Sequence, residues 1–267
     1  MPLAFYSRAA TAEFWSEHWS GLDVESLVGV ARESPLTALI ERALPDRGVI
    51  LEGGCGLGPY VVLLRERGRA VLGADWSLDA LRRCRAAAPT APVAVMDLGR
   101  LAVRSGALAG YISLGVVEHD ERGPDAIVAD AARALEPGGR LVLSVPYWNG
   151  VRRLLTRRLA RDARRIQAAG GQFYQFAFSR REVRAFLEAH GFHVEWLCPY
   201  DPARMWRARF RWLAARTRGG APAAGDRPRA ARPSPRRVAR ALLRRLLYGP
   251  VPLRLFGHML LAVAVKR

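Results

Sequence analysis

Five ionisable side chains in this 267-residue chain stand where a folded polypeptide could use them: Glu52, Asp75, Asp97, Glu118 and His119. Glu52 closes the apolar run Val49–Leu51 and leads into Gly53, Gly54, Cys55, Gly56, Leu57 and Gly58. Glycines packed into such a turn let a ligand approach the backbone and let the chain adopt positive φ. Asp75 closes a second apolar run 23 residues on, near the ~20-residue offset at which a carboxylate accepts from ribose hydroxyls. Asp97 closes a third run, where it could equally cap a strand end. His119 follows a fourth run, and an imidazole there has the proton affinity to act as a base near neutrality. Together these residues could bind a nucleoside and perform proton transfer beside it.

The elements that must position these groups alternate. Apolar runs at 49–51, 70–74, 93–96, 110–115, 140–146, 192–198 and 258–266 read as strands. Between them lie helical patterns. One starts at Tyr60 and is stopped by Gly68. Another runs from Pro124 to Leu135 and ends in Glu136-Pro137-Gly138-Gly139. A third opens on the capping box Ser179-Arg180-Arg181-Glu182 and is closed by Gly191. Alternation of this kind predicts an α/β domain, a parallel sheet wound with helices on both faces.

The order strand, acid, Gly-x-Gly turn, helix, strand, acid resembles motifs I and II of the class I S-adenosylmethionine (SAM)-dependent methyltransferases, the Rossmann-like superfamily that includes the type 11 and type 23 domains. The dinucleotide fingerprint does not fit, because Pro59 falls where its third glycine would stand. The resemblance implies a doubly wound seven-stranded sheet of order 3-2-1-4-5-7-6 with the last strand antiparallel, interrupted by helical inserts. It also implies SAM as cofactor, held first along Glu52, Gly53, Gly54, Cys55, Gly56 and Gly58. Asp75 with Trp76 would follow, then Met96, Asp97 and Leu98 around the adenine, then Leu114 and Gly115. His119 is the expected catalytic base, although a loop-buttressing role fits it equally well. Glu118-His119 also resembles the Glu-His of ubiquinone-type O-methyltransferases, whose additional metal-binding acid is replaced here by Gly115. No metal is therefore expected.

An aromatic face at Phe14, Trp15, His18 and Trp19, with Tyr6 upstream, predicts an N-terminal helical lid over residues 1–47. In the family such segments close over the cofactor or line the acceptor pocket; a plain core face would show the same spacing. Tyr6, Trp15, Trp19, Glu118, Tyr147 and Tyr174 are the expected acceptor contacts. The remaining divisions are a SAM-binding core at 48–200 with a basic helical insert at 151–178, a basic amphipathic insert at 201–257 with a flexible loop at 217–235, and the last core strand at 258–267.

The net charge of +18 is concentrated. Residues 151–165 hold seven arginines against Asp162, and residues 201–247 hold fourteen against Asp201 and Asp226, while the remainder balances. Both segments place apolar residues, among them Val151, Leu154, Leu155, Leu159 and Ile166, opposite arginines at helical spacing. A basic helix with an apolar face is the pattern of an interfacial membrane segment, so 151–166 and 203–247 are read as contacts for an anionic membrane surface. The same helices could instead only cover the active site. A high pI also suits nucleic acid, but the Asn/Asp-Pro-Pro-aromatic motif of nucleic-acid amino-methyltransferases is missing after the fourth strand and no RNA-binding module is recognisable. No apolar stretch reaches the ~20 residues that span a bilayer. Three cysteines without metal-ligand spacing suit a reducing compartment. The expected activity is methyl transfer to a hydrophobic or lipid-linked small molecule, on oxygen, by a cytoplasmic protein peripheral to the inner membrane face. A soluble natural-product O-methyltransferase, an RNA methyltransferase and a non-catalytic basic binding protein stay open as alternatives.

Overall fold

The computed structural model describes residues 2–202 and 248–267, so the second basic segment, 203–247, and its loop at 217–235 lie outside the described residues. In chain order the strands are β1 Leu3–Ser7, β2 Val49–Gly53, β3 Ala70–Asp75, β4 Val93–Val95, β5 Leu108–Leu114, β6 Leu135–Pro146, β7 Gln172–Ala177, β8 Phe192–Tyr200 and β9 Met259–Lys266. The helices are α1 Ala12–Ser20, α2 Val24–Glu33, α3 Pro35–Ala43, α4 Pro59–Glu66, α5 Leu78–Ala87, α6 Asp125–Ala134, α7 Gly150–Leu154, α8 Thr156–Ala168, α9 Arg180–Ala189 and α10 Pro250–Phe256. Seven strands form one sheet in the order β4-β3-β2-β5-β6-β9-β8. Counted from β2 as the first core strand, this is the expected 3-2-1-4-5-7-6, and β9 runs antiparallel to both β6 and β8.

The central strands are apolar throughout because both faces of the sheet are covered. Successive side chains point to opposite sides, so Leu51 belongs to the buried cluster that also holds Val128 and Ala131 of α6 and Val183 and Leu187 of α9. Ile50 packs with residues of α2, α3, α4 and α5 on the other face. On α9, the Ser179 hydroxyl accepts from the Glu182 N–H, and the Glu182 carboxylate accepts from the Ser179 N–H at 2.8 Å. Parallel strands wound this way end at one edge of the sheet, where β2, β3, β4 and β5 deliver Glu52, Asp75, the loop before Asp97 and the Glu118-His119 turn.

Four expectations needed correction. Residues 1–47 are not wholly helical: Tyr6 lies in β1, which pairs antiparallel with β7 in a second, two-stranded sheet. Likewise the insert at 151–178 is helical only to Ala168. Gly170, at φ +87°, ends the helix, and the aromatic-rich Gln172–Ala177 becomes a strand. The amphipathic pattern from Val151 to Ile166 is not one helix either, because the chain breaks at Leu155 into α7 and α8. That break leaves Leu154 exposed and Leu159 half-buried. Finally, the helix stop Glu136–Gly139 does not lie ahead of the strand expected from residue 140 but within it, because β6 already begins at Leu135. It is bulged so that Leu108 faces Leu135 while Gly110 faces Arg140, with Gly138 at φ +79°.

Candidate active site

The loop after β2 is strapped to the end of β3. Gly54 and Cys55 donate their N–H groups to the Ala74 carbonyl at 2.7 and 3.0 Å. The Asp75 carboxylate completes the strap, accepting from the Gly56 N–H at 2.8 Å through Oδ2 and from the Ser77 N–H at 2.9 Å through Oδ1. Its burial raises the carboxyl against the pull of those donors. Asp75 thus holds the loop's shape as well as closing its strand, and each oxygen keeps a lone pair. Gly56 sits at φ +54°, and a Cβ there would lie 2.6 Å from the Trp19 ring, so only glycine fits under that indole. Gly53 meets the Tyr111 hydroxyl in the same way. Cys55 turns its thiol into the core rather than toward the edge of the sheet, and burial pushes that thiol well above its ordinary value.

Glu52 is buried in this apolar setting, its Oε2 has no hydrogen-bond partner among the described residues, and desolvation pushes its carboxyl up to about 8. Trp76, beside Asp75, is half-exposed at 51%. Met96 donates its N–H to the Asp75 carbonyl, and Asp97 is exposed with Oδ1 accepting from the Gly99 N–H at 2.9 Å. Leu98 reaches toward Gly53. Leu114 ends β5, and Gly115, at φ +74°, donates its N–H to the Ser144 carbonyl. The residues expected from the glycine turn through Gly115 therefore converge on the carboxyl edge of β2, β3, β4 and β5.

His119 ends a short 3-10 turn, Val117–His119, and its surroundings were not legible in the sequence. Its Nδ1 lies 2.7 Å from the Tyr174 carbonyl oxygen. A carbonyl only accepts, so Nδ1 carries the proton and Nε2 keeps its lone pair. That carbonyl is available because β7 is bulged at Tyr174: Phe5 pairs with Gln175 and Tyr6 with Phe173, which leaves Tyr174 as the extra residue. Burial lowers the His119 pKa, and the Tyr174 bond partly opposes that shift. The imidazole is therefore neutral at pH 7. Trp15 and Tyr174 each meet its ring edge-to-face at 5.0 Å, and Trp15 stacks on Trp19 at 6.0 Å. One aromatic chain thus runs from the loop at Gly56 to β7 by way of His119. α1 is held over the loop by a 3.0 Å contact between the Ser16 and Ser77 hydroxyls and by Arg83, which donates to the Trp19 and Leu22 carbonyls.

Other expected acceptor contacts lie apart from this cage. Tyr6 meets Phe173 edge-to-face at 6.2 Å on the small sheet. Tyr147 is buried in the core beside Phe178. Glu118 turns its carboxyl inward, near Gly115, and its buried Oε2 also has no partner among the described residues. Desolvation pushes that carboxyl up to about 8. The nearby hydroxyls were not legible in the sequence. Thr37 donates to the Ala31 carbonyl and accepts from the Tyr60 hydroxyl at 3.4 Å, and burial raises the Tyr60 and Tyr200 phenols.

Residues 51–143 match a family model described as a methyltransferase domain. No curated protein matches the chain. Among solved structures, a SAM-dependent methyltransferase from Mesorhizobium loti is similar with a TM-score of 0.55 and 19% identity over 88% of this chain and 99% of that one. One from Archaeoglobus fulgidus gives 0.57 and 16% over 96% and 99%. Geranyl diphosphate C-methyltransferase from Streptomyces coelicolor gives 0.60 and 14% over 96% of both chains. At such identities these three speak for the fold. Residues 51–143 thus carry a methyltransferase domain, and the sheet around them has the class I, Rossmann-like methyltransferase fold. The Mesorhizobium loti and Archaeoglobus fulgidus proteins are described as dependent on S-adenosylmethionine, and the Streptomyces coelicolor structure was solved with S-adenosyl-L-homocysteine.

The residues present fit that cofactor. The partnerless Glu52 Oε2 suits its ammonium, the spare lone pairs of Asp75 suit the ribose hydroxyls, and exposed Asp97 suits the adenine amino group.

Proposed function

We propose that the chain methylates a hydroxyl oxygen of a hydrophobic or lipid-linked small molecule at the cytoplasmic face of a membrane. When bound, the cofactor supplies an electrophilic methyl group. His119 supplies the base. With Nδ1 held by the Tyr174 carbonyl, the Nε2 lone pair is left to take the hydroxyl proton as the oxygen attacks, and the fixed ring needs no reorientation to do so. Trp15 and Tyr174 pack edge-to-face on the imidazole, with Trp19 stacked behind Trp15, and this apolar surface beside the base favours a greasy acceptor and limits the water that would solvate the attacking oxygen. The observation that carries this reading is the His119–Tyr174 bond, because it fixes the tautomer a base requires.

Two further features support the setting. Cys55, Cys84 and Cys198 are free thiols, as suits a reducing compartment. The similar Streptomyces coelicolor structure was solved with geranyl diphosphate, an isoprenoid with an anionic head, so this fold can accommodate such an acceptor. The test is incubation of the full chain with SAM and a lipid extract, followed by mass spectrometry. A product heavier by one CH₂ unit, formed by the wild type and reduced by about 10²-fold or more in His119→Ala, is the expected result. Methylation on nitrogen or carbon alone, or full activity without His119, would overturn it.

A further inference from the structure

We infer that α7, α8 and α10 form a docking surface for an anionic lipid bilayer. None of the three helices contains a buried residue. Leu154 is 85% exposed and Val251 65%, and Leu155 and Leu255 are exposed as well. These apolar side chains are grouped. A Cβ on Gly150 would lie 2.6 Å from the Leu255 side chain, so α7 and α10 touch there. Leu154 is one turn from Gly150 and Val251 one turn from Leu255, each on the same helix face as that contact. Beside this patch α8 presents Arg157, Arg161 and Arg164 along one exposed stripe, and a single acid, Asp162, breaks its positive charge.

Arginines alone would suit any polyanion. Exposed leucine and valine suit lipid instead. They have no flat ring on which a base could stack, whereas aliphatic side chains among cations insert at the boundary of headgroup and acyl chain. The position in the fold has a functional sense. α8 packs on β1, whose partner β7 carries Tyr174 against His119, and Arg152 lies 5.8 Å from the Phe5 ring on β1. A bilayer meeting α7 and α8 would therefore lie one sheet away from the base. Docking deepens the membrane-face reading above and rests on it only for the direction from which the acceptor arrives. Lipid binding is measured without SAM or acceptor, so it fails or succeeds separately from methyl transfer.

The experiment is flotation of the full chain with vesicles of phosphatidylglycerol and phosphatidylcholine, and with phosphatidylcholine alone, at low and moderate salt. Binding to the anionic vesicles alone is expected. Arg157→Gln, Arg161→Gln and Arg164→Gln together should weaken it about a hundredfold, at about fivefold for each arginine. Leu154→Glu with Val251→Asp should weaken it at least about tenfold while leaving thermal stability unchanged. Equal binding to neutral vesicles, or binding that all these variants retain, would overturn the proposal. So would a fall in melting temperature of the Leu154→Glu, Val251→Asp variant without loss of binding, which would show the patch covered by the chain itself. Tight binding of single-stranded RNA that survives Leu154→Glu, with no flotation, would overturn it in favour of nucleic acid.

Discussion

His119 gains its chemistry from one hydrogen bond. The Tyr174 carbonyl chooses the tautomer, and burial keeps the ring neutral. The base form is the neutral one, and burial holds the pKa below the ordinary 6.5, so kcat/KM should be flat through neutrality and fall only at pH values below that ordinary value. An acid limb above 6.5 would contradict the assignment, and its disappearance in His119→Gln would identify the group. Trp19 tests the lid. It covers Gly56 without donating to the reaction, so Trp19→Ala should raise the KM for SAM by roughly tenfold and change kcat less. The reverse pattern would place Trp19 against the acceptor. The histidine, the acids and Trp19 were legible as residue types at strand ends and at helical spacing. The tautomer was not, because it depends on a carbonyl 55 residues away.

The elements were legible wherever local pattern and tertiary environment agree. Apolar runs closed by acids became β2 and β3, and Ser179-x-x-Glu182 became a complete capping box. Ser179→Ala should cost about 1 kcal/mol in denaturant unfolding. A change below about 0.3 kcal/mol would mean that solvent satisfies the helix start equally well. The failures lie where a strand exists only because it finds a distant partner. Leu3–Ser7 has no turn signals and no neighbouring strand in sequence. It becomes β1 by pairing with β7, and their bulge at Tyr174 is what frees the carbonyl for His119. Deletion of Tyr174 should remove that bulge and release the imidazole, lowering kcat by about 10²-fold; unaltered turnover would show the bulge to be incidental. The break at Leu155 was invisible for another reason. Arginine and leucine are both good helix formers, and local propensity gives no cause to interrupt the helix there.

At the scale of the molecule, the chain joins a charge-balanced remainder to two strongly basic stretches of sequence, and its core buries two carboxyls, Glu52 and Glu118, each with an oxygen that has no hydrogen-bond partner among the described residues. Burial raises both from 4.5 to about 8. Each therefore stays protonated in the folded chain over a range where the unfolded chain ionises. The stability they contribute is complete below pH 4.5 and is lost as pH rises through about 8. Thermal melts of the ligand-free protein should decline over that window, and Glu118→Gln should flatten the decline; parallel curves would refute the burial argument. A cation beside Glu52 reverses its preference, so binding of SAM should release protons near pH 7. The central claim is that the Gly53–Gly58 loop, strapped by Asp75 and floored by Glu52, holds SAM. Calorimetric titration of SAM into the full chain tests it most directly. The account predicts one site, with a dissociation constant in the range of about 1 μM to 1 mM, weakened at least about tenfold by Asp75→Ala, with proton release that Glu52→Gln abolishes. No binding heat, or the same affinity in Asp75→Ala as in the wild type, would contradict it.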